Sequence, residues 1–188
     1  MDGQGTGACA AWADGDPLMR DYHDRRWCKP VHDDTELFAL LMLEGFQAGL
    51  SWSLIIRREA GMRAACDGFD PRVCAGYGPD DCERLLHTDA MIRSRRKIAA
   101  IGQNARAFQR IQAEYGSFDA YLWGFTQGQV VDHRLRRAQD TPTRDALSEQ
   151  VSRDLKKRGF AFVGPVTTYS YLQAAGVIND HLVDCPYR

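Results

Sequence analysis

No apolar run in this chain approaches the roughly 20 residues that a membrane-spanning helix needs. The N-terminus, Met1-Asp2-Gly3-Gln4-Gly5-Thr6-Gly7, lacks the positively charged and apolar pattern of a secretory leader, so the expected setting is the cytoplasm, with no membrane partner. Internal repeats, low-complexity tracts and convincing linkers are missing too, which argues against an array or a multidomain chain. An excess of one sign of charge is missing: 24 Lys and Arg face 25 Asp and Glu for a formal net charge of −1, which excludes a generally basic nucleic-acid coat but leaves room for a local basic patch.

What is present is enough for one folded unit. With 188 residues and 44% hydrophobic composition, the chain can bury a substantial core and is too short for two large ones. We expect a mobile segment over residues 1–11 and a single domain over 12–188. Six cysteines are scattered through a chain that has core to spare, with Cys66, Cys74 and Cys82 on apparent helices, so they read as reduced thiols.

Periodicity gives an all-α class. Asp34 or Thr35 can cap a helix carrying Leu37, Leu40, Leu41 and Leu43, which loosens at Gly45 and Gly49. Further helices are expected over residues 52–65, after Pro79, over 94–115 with the stripe Ile98, Ile101, Ala105, Phe108 and Ile111, and in shorter pieces over 118–123, 143–158 and 165–175. Only residues 129–131 and 160–163 read as extended. Residues 16–27, an aromatic and polar run, are too irregular in period for an ordinary amphipathic helix.

One carboxylate stands out. Glu44 interrupts an otherwise apolar helix that runs into a small-residue turn and an indole, Gly45-Phe46-Gln47-Ala48-Gly49-Leu50-Ser51-Trp52. An ionised carboxylate taken out of water costs several kcal/mol, so it neutralises, pairs with an arginine, or waits for a cationic or hydrogen-bond-donating ligand. A second feature is Arg93-Ser94-Arg95-Arg96-Lys97, cations at the start of a helix where backbone N–H groups already favour an anion. It is either a phosphate grip or a solvated basic turn. Third, His181 and Cys185 are four apart, a spacing that lets both reach one ion from a single turn, and His23 with a cysteine near Trp12 can complete a tetrahedron.

These segments resemble the bacterial 3-methyladenine DNA glycosylase I family of the helix-hairpin-helix superfamily. The likeness rests on Tyr22-His23-Asp24-Arg25-Arg26-Trp27, on Leu43-Glu44-Gly45-Phe46-Gln47-Ala48-Gly49-Leu50-Ser51-Trp52, and on Ile92-Arg93-Ser94-Arg95-Arg96-Lys97-Ile98 with Asn104-Ala105-Arg106-Ala107. It continues through Leu155-Lys156-Lys157-Arg158-Gly159-Phe160-Ala161-Phe162-Val163-Gly164 and Gly176-Val177-Ile178-Asn179-Asp180-His181, in the same order over nearly the whole chain.

The resemblance implies a compact helical glycosylase fold with a helix-hairpin-helix element. It implies an enzyme that flips an alkylated purine from double-stranded DNA and hydrolyses its N-glycosidic bond with no lyase step, working as a monomer. Glu44 would hydrogen-bond the base, Tyr22, Trp52 and Trp12 would form the stacking walls, Trp27 would stand behind them, and Leu50 would fill the gap in the duplex. Arg93, Arg95, Arg96 and Lys97 would meet phosphates. Asp132 reads as a loop or cap residue, not as a catalytic one.

A structural zinc bound by Cys9, His23, His181 and Cys185 is also implied. Here Cys9 stands three residues before Trp12 where the family has its cysteine two before, which leaves Ala10 in that place. Two departures bear on specificity: Met19 stands where a tyrosine is expected and Cys28 where a glycine is usual. Ala90-Met91 also replaces a customary glycine in the hairpin. A relative specialised for a different or bulkier alkylpurine, a damaged-DNA binder without catalysis, and a zinc-stapled scaffold remain alternative readings.

Overall fold

A computed structural model describes residues 7–188. Its centre is α2 (Asp34–Gln47), in which every residue from Leu37 to Phe46 is buried. A helix apolar on all sides can only be a core helix. It is surrounded by α3 (Trp52–Ala65), α6 (Arg95–Tyr115), α7 (Phe118–Gly124) and α9 (Pro165–Ala174). The stripe expected on α6 is buried throughout, and Gly116, at φ +87°, ends that helix. No helix among the described residues is long and apolar enough to cross a membrane. All six cysteines are free thiols.

Two adjacent aspartates fix the start of α2. The N-cap is Asp33, not Asp34 or Thr35: its side chain accepts from the Glu36 N–H at 2.8 Å. Asp34 turns away instead and accepts from the Phe118 and Asp119 N–H groups at 2.9 and 2.8 Å, which caps α7 from a distance in sequence.

Three expectations need correction. Residues 16–27 are not irregular: Asp16 caps α1 (Pro17–Arg25) through the Leu18 N–H at 3.1 Å, with Pro17 in the first turn. Its buried Met19, Tyr22 and His23 follow i, i+3, i+4 spacing, a helical stripe concealed by aromatic and polar residue types. Residues 160–163 form no strand. After α8 (Ala146–Lys157) the chain passes Gly159 at φ +95°, and the side chain of Asn104 pairs with both the N–H (2.8 Å) and the C=O (3.1 Å) of Ala161. An amide on α6 thus does what a neighbouring strand would have done. Finally, Gly7–Ala13 form a short 3-10 helix with Cys9 and Ala10 buried, so residues 7–11 are folded, while 1–6 of the expected mobile segment lie outside the described residues.

Residues 87–94 join α5 (Pro79–Leu86) to α6 in the place expected for the hairpin. Ala90 is tolerated there because Gly61 of α3 faces it: a Cβ on Gly61 would lie 2.7 Å from that of Ala90. Arg58 donates to the carbonyls of Asp89 and Met91 at 3.1 and 3.2 Å and holds the turn against α3. The strand β1 (Val131–Asp132) pairs in parallel with β2 (Ile178–Asn179), and this bridge ties the segment after α7 to the one after α9.

Candidate active site and Cys/His cluster

Where α1, the end of α2, the start of α3 and α9 converge lies a cavity of about 510 Å³. Glu44 lines it at 3% exposure and has no hydrogen bond or ion pair among the described residues. Burial alone pushes its acid up to about 8. Arg26 and Arg63 are engaged with other carboxylates: Arg26 forks onto Glu59 at 2.7 and 2.8 Å, and Arg63 bonds Glu59 at 2.9 Å and Glu36 at 2.7 Å. The carboxylate is therefore dry and unpaired, in a cavity of a size suited to a small ligand.

Its walls are aromatic. Tyr22 is buried and sits 5.3 Å from Trp52, tilted by 59°. Burial, reinforced by the charge of Glu44, pushes the Tyr22 phenol well up, so it remains a neutral hydroxyl. Trp12, 44% exposed, meets Tyr22 edge-on at 6.3 Å and Trp27 edge-on at 5.6 Å. The indole N–H of Trp52 is buried without an acceptor. Met19, at 5% exposure, also lines the cavity and packs with Ala10 and Ala13 against Trp52 and Ile56.

Leu50 sits half-buried on a turn that Gly49 makes possible at φ +81°. Two hydrogen bonds close the turn: the Leu50 N–H donates to the Gln47 carbonyl at 2.7 Å, and Gln47 Nε2 donates to the Leu50 carbonyl at 3.0 Å. Ser51 then caps α3 through the Leu54 N–H at 3.3 Å.

Sequence reasoning missed part of the lining. Gln47, Ser170, Gln173 and Asp180 also face the cavity. Asp180 is buried and accepts from Tyr169 Oη at 2.5 Å, Gln173 Nε2 at 2.7 Å and His133 Nδ1 at 2.6 Å. Ser170 and Gln173 stand three apart on a mostly apolar helix, the one local signal available.

The basic turn is not the cluster of free cations expected from sequence. Arg93 pairs with Asp89 at 3.0 Å and Arg95 with Glu83. Lys97 points inward, where Nζ donates to the carbonyls of Phe46 (2.9 Å) and Ala48 (2.6 Å) and caps the end of α2. Arg96, exposed, has neither an ion pair nor a side-chain hydrogen bond among the described residues. The side chain of Ser94 makes no cap bond, so the first N–H groups of α6 stay open to an anion. Asp132 accepts from the Arg134 N–H at 2.9 Å and pairs with Arg188, a turn role in line with its sequence reading.

Beyond Trp27, Cys9, His23, His181 and Cys185 come together, all buried, with their ligand atoms within 4.8 Å of one another. The four adjacent S···N distances are 3.4, 3.6, 3.4 and 3.9 Å. A tetrahedral ion at zinc bond lengths would separate S from N by about 3.6 Å, so the donor set fits. Further contacts orient it: His23 Nδ1 bonds Asp24 at 2.7 Å, His181 Nε2 bonds the Trp27 carbonyl at 3.1 Å, and the Leu182 N–H donates to Cys9 Sγ at 3.2 Å. The extra residue before Trp12 is absorbed by a kink at Ala10 (φ −123°, ψ 33°), which sends Ala10 into the core beside Met19 and Cys9 to the cluster. His181 and Cys185 reach the cluster from a turn closed by the Cys185 N–H on the Leu182 carbonyl at 2.9 Å, not from a helix.

Residues 12–188 match the family model described as methyladenine glycosylase. The DNA-3-methyladenine glycosylase 1 of Escherichia coli K12 is 40% identical over 93% of either chain, and the enzyme of Haemophilus influenzae is 35% identical over 94% of this chain and 96% of its own. Among solved structures, 3-methyladenine DNA glycosylase I from Staphylococcus aureus superposes with a TM-score of 0.94 at 38% identity over 97% of both chains. A variant of 3-methyladenine DNA glycosylase I in complex with 3-methyladenine gives 0.93 at 38% identity over 96% of both. The chain belongs to the methyladenine glycosylase family.

Proposed function

We propose that this protein is a DNA-3-methyladenine glycosylase that removes 3-methyladenine from double-stranded DNA in base excision repair, by hydrolysis and without a lyase step. The observation that carries the reading is the buried, unpaired Glu44 carboxyl in a cavity walled by aromatic rings. Alkylation at N3 makes the adenine of an intact nucleotide cationic. Once flipped out, such a base gives Glu44 the counter-charge that burial withholds, and each stacking ring adds roughly 0.5–2 kcal/mol of cation–π attraction. Neutral adenine gains little of either, so the cavity discriminates by charge.

The chemistry then asks little of the protein. As the glycosidic C–N bond breaks, its electron pair passes to the purine and cancels the positive charge; a water oxygen bonds to C1′, and its spare proton passes to solvent. The products are a neutral free base and an abasic sugar. A cationic leaving group needs no general acid, so holding and orienting the base supplies the catalysis. Tyr22, Trp52 and Trp12 hold the rings, and Leu50 on its closed turn occupies the gap in the duplex. The open N–H groups of α6 and the exposed Arg96 take a backbone phosphate.

In the same reading Cys9, His23, His181 and Cys185 hold zinc. With four protein ligands such a site has no open position, so its contribution is to clamp the N-terminal 3-10 helix to the C-terminal segment. The reaction takes place in the cytoplasm, beside the chromosome.

Incubation with methylated DNA tests the reading: free 3-methyladenine is expected from the native protein and a loss of at least 10-fold from Glu44→Gln, about what one charged hydrogen bond is worth. Native protein that retains lesion DNA without releasing base would instead be a damage binder. Met19 motivates a second reading, in which a thioether on the cavity wall admits a bulkier alkylpurine as well.

A further inference from the structure

Residues 133–144 form a loop that reaches the cavity. Ala138 and Thr141 of this loop line it together with Glu44, Tyr22 and Trp52. Four arginines lie in the loop, Arg134, Arg136, Arg137 and Arg144, in a chain whose net charge is −1.

The start of the loop is fixed by alternate residues. His133 donates from its backbone to the Asn179 carbonyl at 3.3 Å and from its ring to Asp180 at 2.6 Å. Leu135 packs on Cys9, Leu182 and Cys185, and its carbonyl accepts from the Val183 N–H at 2.9 Å. Between these anchors Arg134 takes φ +50°, a left-handed conformation that is costly for a residue with a Cβ and persists only where its surroundings impose it. Arg134 and Arg136 are consequently turned out to solvent.

Neither has a carboxylate or hydrogen-bonding partner for its guanidinium among the described residues. Their neighbours differ: Arg137 is bidentate on Asp140 at 2.8 Å twice, and Arg144 lies 3.7 Å from Glu149. On the hairpin the balance is reversed, since Arg93, Arg95 and Lys97 are already engaged. Among the described residues, the loop whose Ala138 and Thr141 line the cavity thus carries two unpaired arginines, and the hairpin one, Arg96.

We infer that Arg134 and Arg136 form a second phosphate-binding surface, which grips the sugar-phosphate backbone of the strand whose nucleotide enters the cavity. The inference rests on the glycosylase reading above. Flipping a nucleotide draws its flanking phosphates toward the cavity mouth, and a loop that lines the cavity through Ala138 and Thr141, is fixed at its start and carries two exposed, unpaired arginines offers them cations. The contact reads no sequence and adds to the salt dependence of binding.

The test measures binding of the native protein and variants to lesion-containing duplex across a salt series. In Arg134→Gln/Arg136→Gln the slope of log affinity against log salt should fall by about 2, near 0.9 per phosphate contact, with a higher KM for base release. The Lys/Lys double variant should recover the slope, while Arg137→Gln, whose guanidinium is held by Asp140, should keep it. A native slope in Arg134→Gln/Arg136→Gln overturns the inference, and so does an equal loss in Arg137→Gln, which would indicate a general charge effect. Because native protein that releases no 3-methyladenine would overturn the glycosylase reading itself, the two failures are distinct.

Discussion

Arg26 lies over the ring of Tyr22, 5.3 Å from its centroid, yet its guanidinium is bound to Glu59. Two carboxylates that both act on Tyr22 are thereby driven in opposite directions. Glu44, desolvated and without a cation, has its acid pushed up to about 8. For Glu59, burial works upward as well, but the hydrogen bonds and charges of Arg26 and Arg63 outweigh it and hold the acid below its usual range. Such divergent environments for two carboxylates around one ring are the pattern that acid and base sites use. Glu59 holds Arg26 and Arg63, whereas Glu44 has no such partner among the described residues.

Glu44→Gln should therefore stabilise the protein while it lowers activity. The folded acid titrates near 8 and the unfolded one near 4.5, so the native fold binds the extra proton between those values. Stability contributed by Glu44 is fully present below pH 4.5 and is lost as pH rises toward 8, amounting to a few kcal/mol on an order-of-magnitude basis. Thermal melts should show the gain of the Gln variant growing from pH 5 to pH 8 and levelling off above, roughly. A gain that does not change with pH would mean that Glu44 ionises freely in the native state.

The same acid should shape the rate. Since kcat/KM reports ionisations of the free enzyme, the value for methylated DNA should rise with pH up to about 8 as Glu44 ionises, and this limb should vanish in Glu44→Gln. Initial rates of base release at limiting DNA measure it directly. An identical limb in the variant would assign the titration to another group.

Metal analysis of protein purified without chelator should find equimolar zinc, and chelation should lower Tm. The Cys9→Ala/Ala10→Cys exchange restores the family's spacing on paper, yet it should abolish binding: Ala10 is fully buried beside Met19, on the far side of the kink that delivers Cys9. Zinc retained in the exchanged protein would show that the 3-10 helix can shift by one residue.

Much of this was legible in the sequence wherever the signal was local. The limits of α3 and α6, the buried stripe of α6 and the burial of Glu44 all follow from spacing along one helix, whereas its lack of a partner does not. Features made by distant partners were not legible. Asp34 spends its carboxylate on α7, Asn104 replaces a strand partner for Ala161, and the acceptors that turn Lys97 inward lie on α2. The lining by Asp180, and by Ala138 and Thr141 of the loop after β1, lies next to the β1–β2 bridge between residues far apart in the chain.

Lys97 offers a direct contrast between the two levels. As a phosphate contact it would contribute to the salt slope and little to the fold; as the cap of α2 it satisfies two carbonyls just before the Leu50 turn. Lys97→Met should thus cost roughly 1–3 kcal/mol of stability by leaving those acceptors without a donor. Denaturant titration alongside salt-dependent DNA binding separates the cases, with a native midpoint and a reduced salt slope favouring the phosphate contact.

Met19 bounds one wall of the cavity. Its flexible thioether fills the wall between Ala10, Ala13 and Trp52, where an aromatic ring would be rigid and would add a stacking face. Met19→Tyr should narrow the cavity and favour the smaller adduct, raising the ratio of kcat/KM for 3-methyladenine to that for a longer N3-alkyladenine by about 10-fold, the scale on which pockets resolve one or two methylenes. Competition between the two lesions in one duplex pool gives the ratio in a single experiment. Should the ratio stay constant while both rates fall, the side chain at 19 would be supporting Trp52 and not bounding the space for the alkyl group.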